Sequence, residues 1–141
     1  MRILGIDYGD KHIGLAVSDS LQLTAQALDN YRVRDEKKDK DYFIRIVSEY
    51  EIEEIVLGLP LRMDGTPGPR ADKTKAFAQW LKEFLDVPIV FWDERLTTKQ
   101  ALGILNRQKI KGKAKKLLED QIAAIIILSS YLENKRGRLA K

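Results

Sequence analysis

The spacing of apolar residues along this chain changes twice, and those changes predict its elements. Arg2 to Asp7 and Ile13 to Ser18 are nearly continuous apolar runs of strand length. Between them Tyr8–Gly9–Asp10–Lys11 reads as a turn, with Gly9 free to adopt a positive φ. A third strand is expected over Ala27 to Arg34, where Leu28, Tyr31 and Val33 sit among polar residues. Three consecutive strands with short links form an antiparallel meander. The period then lengthens: Tyr42, Phe43, Ile46, Val47 and Tyr50 recur at helical spacing, predicting a helix over Lys38 to Glu51. Asp39 and Asp41 near its start would complement the helix dipole.

Glu54–Ile55–Val56–Leu57–Gly58–Leu59–Pro60 returns to strand character, apolar on both faces as in a central parallel strand. The Gly- and Pro-rich stretch Leu61 to Arg70 is a loop at that strand's carboxyl end, where α/β proteins usually place ligands. A helix over Ala71 to Asp86 carries Phe77, Trp80, Leu81 and Phe84 as its apolar stripe. Pro88 to Trp92 forms a short strand ending on Asp93–Glu94. Thr97 or Thr98 can cap a helix through Asn106, and a long helix follows from Lys113 to Asn134. The order βββαβαβαα predicts one α/β domain over residues 1–141, a mixed sheet with helices on its faces.

Composition narrows the chemistry. The chain has no cysteine and one histidine, which excludes disulfides, thiolate metal sites and histidine-rich zinc sites. Its longest apolar run, Ile122 to Leu128, is too short to span a bilayer, and Met1–Arg2 opens no signal peptide, so a cytoplasmic protein is expected. The net charge of +4 is unevenly placed. Residues 106–116 hold Arg107, Lys109, Lys111, Lys113, Lys115 and Lys116 without an acid, and 134–141, read as a flexible basic tail, hold Lys135, Arg136, Arg138 and Lys141. Removing these ten from the 25 basic residues leaves 15 against 21 acids, so the basic character is local. Either run alone is as readily a solvated segment as a polyanion-binding edge.

Asp7 and the pair Asp93–Glu94 each end an apolar strand, and Asp120 lies on the long helix with Ala123, Ala124, Ile127 and Tyr131 on one face. Parallel strands would bring the first two sets to one sheet edge. The alanines would let the helix bring Asp120 close. Carboxylates gathered in this way suit a hard divalent cation such as Mg2+ or Mn2+, which can activate water against a phosphodiester. Each acid alone is more often a turn or helix cap, and Asp120 could simply pair with Lys116. Their joint placement beside a basic segment favours the metal site. Arg95 would contact phosphate or neutralise Glu94, His12 reads as a surface residue, and Trp80 and Trp92 read as core rather than base-stacking platforms.

Four blocks carry a resemblance. Gly5–Ile6–Asp7–Tyr8–Gly9 with Ile13–Gly14–Leu15–Ala16–Val17–Ser18–Asp19, Gly58–Leu59–Pro60–Leu61 with Asp64–Gly65–Thr66, Asp93–Glu94–Arg95–Leu96–Thr97–Thr98, and Asp120 with Ala123–Ala124 and Ile127–Leu128 resemble the YqgF family, also called RuvX. The resemblance spans nearly the whole chain without departure at the acidic positions. It implies a ribonuclease H-like fold and a metal-dependent nuclease. Asp7, Glu94, Asp120 and Asp93 inherit the catalytic assignment, with Asp7, Glu94 and Asp120 as metal ligands. The substrate would be structured RNA, in maturation of the 5′ end of pre-16S ribosomal RNA, or else branched DNA. Arg95, Arg107, Lys109, Lys111, Lys113, Lys115 and Lys116 would hold the backbone of a monomer's or weak homodimer's substrate. Two readings compete from other classes. An actin-like ATPase would need a second domain, and a non-catalytic RNA-binding module would bind without a metal requirement.

Overall fold

The computed structural model describes residues 1–94 and 113–139, with side chains for 1–94 and 121–136. Its elements are β1 (Arg2–Asp7), β2 (His12–Ser18), β3 (Ala25–Arg32), α1 (Glu36–Glu49), β4 (Ile52–Leu59), α2 (Pro69–Lys82), β5 (Ile89–Asp93) and a last helix, here α3 (Lys113–Leu139). The five strands form one sheet in the order β3-β2-β1-β4-β5. β1 pairs antiparallel with β2 and parallel with β4, and β5 joins β4 in parallel. The expected meander and parallel strands are therefore both present.

The sheet buries both faces, as the continuous apolar strands require. Leu4, Ile6, Leu15, Ile55 and Leu57 point to the side covered by α1 and α2, where Phe43, Phe77 and Leu81 complete the core. Ile3, Ala16 and Val56 point the other way, against Ala124, Ile127, Leu128 and Leu132 of α3. Strand alternation thus sorts the β1 side chains, with Ile3, Gly5 and Asp7 on the α3 face.

Several boundaries move. β3 begins two residues early, because Asp19 caps the preceding loop by accepting from the Leu23 and Thr24 amides at 2.7 and 2.9 Å. α1 also starts early: its N-cap is Asp35, which accepts from the Lys38 amide at 2.8 Å. Asp39 does more than meet the dipole. It is buried and accepts from the Tyr31 hydroxyl at 2.6 Å and the Arg34 amide at 2.9 Å. Tyr42 of α1 makes the reciprocal bond to Asp29 of β3 at 2.6 Å. Pro69 opens α2, where its missing N–H costs nothing. The helix expected over 97–106 lies outside the described residues.

α3 runs on through Leu139, into the stretch read as a basic tail. Lys135 donates to the Gln22 side chain at 3.3 Å and Arg136 to the Leu23 carbonyl at 3.2 Å. His12 opens β2 and is half-buried rather than part of an exposed turn. No helix among the described residues is long and apolar enough to cross a membrane.

Candidate metal and nucleic-acid site

Asp7 is the last residue of β1, paired with Gly14 of β2. The hairpin that follows is tight. A Cβ on Gly9 would stand 2.5 Å from the His12 carbonyl oxygen, so the close approach, not a positive φ, requires glycine there. Among the described glycines only Gly65 has a positive φ, at 88°.

β4 and β5 bring the second acid. Leu59 pairs with Asp93 and Gly58 with Trp92 at the carboxyl end of the parallel ladder. Val90 and Trp92 pack on the α3 side and Ile89 on the other, so Asp93 follows Ile89 and Phe91 away from α3. Glu94 returns to the α3 face. Its Oε1 lies 2.6 Å from where a Cβ on Gly58 would be, and Ile127 Cδ1 lies 2.5 Å from the same point. The missing side chain of Gly58 is the space that Glu94 and α3 occupy. Ile6 pairs with Leu57 at the end of the β1–β4 ladder, and both strands run on one residue in the same register, which puts Asp7 beside Gly58. Adjacent strands are about 4.8 Å apart, so Asp7 and the Glu94 carboxylate share one face at one level.

α3 is held against this face by a second glycine. A Cβ on Gly5 would meet Leu128 Cβ at 2.8 Å and the Ala124 carbonyl at 3.2 Å. The close approach expected from the alanine pair is real but belongs to Ala124; Ala123 is only half-buried. Further along, Lys135 and Arg136 reach Gln22 and Leu23, and Gln22 in turn bonds the Met1 carbonyl at the start of β1. α3 therefore runs antiparallel to β1. Its amino-terminal part leads toward the strand end that carries Asp7. Asp120 sits one helical turn before Ala124 in that direction. From Gly5 to Asp7 is about 7 Å along a strand, and one turn of helix rises about 5 to 6 Å. The Asp120 backbone thus stands near the Asp7 level, while its side chain lies outside the described atoms.

Of the expected acids, Asp7 and Glu94 lie on the α3 face at one level of the sheet, and Asp93 turns to the opposite face. No group of three metal-ligating side chains occurs among the described residues, a set that does not include the Asp120 carboxylate. Arg95, Arg107, Lys109 and Lys111 lie outside the described residues, as do the side chains of Lys113, Lys115 and Lys116. Trp92 behaves as expected of a core residue, donating to Ser130 Oγ at 3.1 Å and meeting the Tyr131 ring edge-on. The positioning roles of Gly5 and Gly58 were missed. The only available signal was a glycine in each of two strands, which often marks close backbone approach.

The chain matches the RuvX family, described as Holliday junction resolvase, over residues 1–134. It belongs to that family. A RuvX relative from Syntrophomonas wolfei, named "Putative pre-16S rRNA nuclease", is 45% identical over 141 residues, covering 100% of this chain and 99% of its own. One of the same name from Halothermothrix orenii is 43% identical over 132 residues, 94% of each chain. Among solved structures, RuvC of T. thermophilus in complex with a Holliday junction substrate aligns at TM-score 0.61 with 18% identity, covering 97% of this chain and 96% of that one. Fowlpox virus resolvase with Holliday junction DNA aligns over 100% of both chains at TM-score 0.52 and 16% identity. At those identities the likeness concerns fold alone, and the RuvX chain has the ribonuclease H-like fold of the resolvases.

Proposed function

We propose that this RuvX-family chain is a metal-dependent nuclease that matures the 5′ end of pre-16S ribosomal RNA in the cytoplasm, as a monomer or weak homodimer. The observation that carries the reading is the placement of Glu94 over Gly58, level with Asp7 and on the face that α3 covers. Relatives more than 40% identical along almost their whole length bear the pre-16S rRNA nuclease name. The donor set fits a hard cation: Asp7, Glu94 and Asp120 supply only carboxylate oxygens, the ligands that Mg2+ and Mn2+ prefer. A divalent cation held by them would acidify a bound water and stabilise the leaving oxygen of a phosphodiester.

The chain's own residues do the positioning. Asp7 is fixed by the β1–β2 ladder, and Glu94 is fixed by the empty space at Gly58. Asp93, facing away from α3, acts as a support for the strand end rather than as a ligand. The basic residues Arg95, Arg107, Lys109, Lys111, Lys113, Lys115 and Lys116 contribute a sequence-independent hold on the phosphate backbone, which makes binding salt-dependent. The family description favours a second reading, cleavage of a branched DNA junction by the same carboxylates.

One experiment separates these readings. The protein is incubated with ribosomal RNA precursor and with a four-way DNA junction, each with Mg2+, Mn2+ or chelator. The expected result is shortening of the RNA 5′ end that chelator abolishes, with the junction left intact. Asp7→Asn should lower cleavage more than about a hundredfold while RNA binding and thermal unfolding stay unchanged. Wild-type turnover by that variant would overturn the assignment.

A further inference from the structure

The residue after Asp7 faces the other way, into a feature the nuclease chemistry leaves unused. Tyr8 stacks on Phe77 with ring centroids 4.5 Å apart, and Phe77 stacks in turn on Trp80 at 5.8 Å. The three rings form one wall of a cleft of about 520 Å³, between the β1–β2 hairpin and helices α1 and α2. Ile13, Val33 and Phe43 also line it. A smaller pocket of about 140 Å³ adjoins it, sharing Tyr8, Asp10 and Lys73 and adding Gly9, Arg70 and Thr74. Trp80, read from sequence as core, is only half-buried and stands at the cleft's surface.

We infer that this cleft is a nucleobase subsite, taking one unstacked base of the strand whose neighbouring phosphate lies at the Asp7 edge. The inference rests on the nuclease reading and adds to it a place where the substrate is read. Aromatic walls bind bases by stacking whatever their sequence. Arg70 and Lys73 on the adjoining pocket supply cations for the phosphate attached to that base. Asp7 and Tyr8 are consecutive, so a strand crossing this sheet edge meets the carboxylates on one side and the cleft on the other.

The polar groups at the mouth select among bases. Asp10 is engaged by Lys73 at 3.3 Å, whereas among the described residues Glu36 meets the Trp80 indole N–H alone, at a long 3.4 Å. A carboxylate accepts and never donates. Guanine offers it two adjacent donors, N1–H and the 2-amino group; uracil offers one N–H flanked by carbonyls. Glu36 therefore favours guanine.

The test uses the full chain carrying Asp7→Asn, so that binding is read without cleavage. Calorimetry measures the RNA trinucleotides GpGpG and UpUpU. GpGpG should bind about tenfold or more tightly than UpUpU. Ala76→Phe, at an exposed position on the cleft wall, should weaken GpGpG by about tenfold or more while thermal unfolding is unchanged. Glu36→Gln, also exposed, should bring the two trinucleotides together. GpGpG binding unaffected by Ala76→Phe overturns the subsite, and equal affinity for the two trinucleotides in the parent overturns the choice of guanine. Failure of the nuclease reading looks different, since the chain with Asp7 intact would then leave both precursor RNA and junction uncut whatever the trinucleotides do.

Discussion

On one face of the sheet Phe43, Phe77, Tyr31 and Tyr42 fill the space beneath α1 and α2, whereas on the other Gly5, Ala124 and Gly58 let α3 lie almost on the strands. The first face gains from large rings, each pair adding about 0.5 to 1.5 kcal/mol beyond its buried area. The second gains from the absence of side chains. Aromatic packing tolerates helices held at a distance and leaves a cleft between them. Glycine-to-alanine packing sets a helix's height by direct contact with the strand backbone, which would hold the proposed carboxylate site in place. Damage should therefore appear as lost stability on the aromatic face and as lost chemistry on the glycine face.

The largest effect is expected on the aromatic face. Phe43 is fully buried and touches the rings of Tyr31, Tyr42, Phe77 and Trp80. Phe43→Ala should cost about 3 to 5 kcal/mol in denaturant unfolding. A loss below 1 kcal/mol would mean that this face collapses to fill the space. On the opposite face, Gly58→Ala forces Glu94 and Ile127 apart and should cost about 1 to 3 kcal/mol of stability. Displacing Glu94 by an ångström should also lower cleavage by about a hundredfold. Cleavage that falls no further than the folded fraction would erase the contrast between the faces.

A smaller effect comes from the crossed tyrosine–aspartate bonds. Burial, then the bond to Asp39, pushes the Tyr31 phenol up to about 12. Its contribution is complete below pH 10 and is lost as pH rises through that value, so alkaline unfolding should steepen there. Tyr31→Phe should cost about 1 kcal/mol at neutral pH and flatten that alkaline limb. The smallest effect belongs to Asp19, whose exposed carboxyl is held below its ordinary value by the Thr24 amide first and the Leu23 amide after it. Its contribution is present above about pH 4 and fades as pH falls through the lowered value. Asp19→Ala should shift Tm slightly downward at neutral pH and not at all in strong acid.

Much of this architecture was legible from apolar spacing. Every described helix and strand was anticipated, because continuous strands and helical stripes are both dictated by two-sided burial. Boundaries slipped where a side chain outweighed the period: Asp19 and Asp35 start elements early by capping amides, and Pro69 starts α2. The acids at strand ends were legible as well, since Asp7 and Glu94 interrupt apolar runs. Their relative facing was not, because it depends on the register between β1 and β4, and register is set by the whole sheet. Gly58 shows the limit most clearly. A glycine in a strand announces that something comes close, but not that the visitor is Glu94 together with Ile127.

The docking of α3 also ties the burial of one sheet face to the strand end that carries Asp7. All five strands precede it in the chain, and without it Ile3, Ala16 and Val56 would face water. Ala124 and Leu128 rest on Gly5, two residues before Asp7 on the same strand face. Loosening α3 would therefore uncover apolar surface and release the Asp7 end of the sheet in one event.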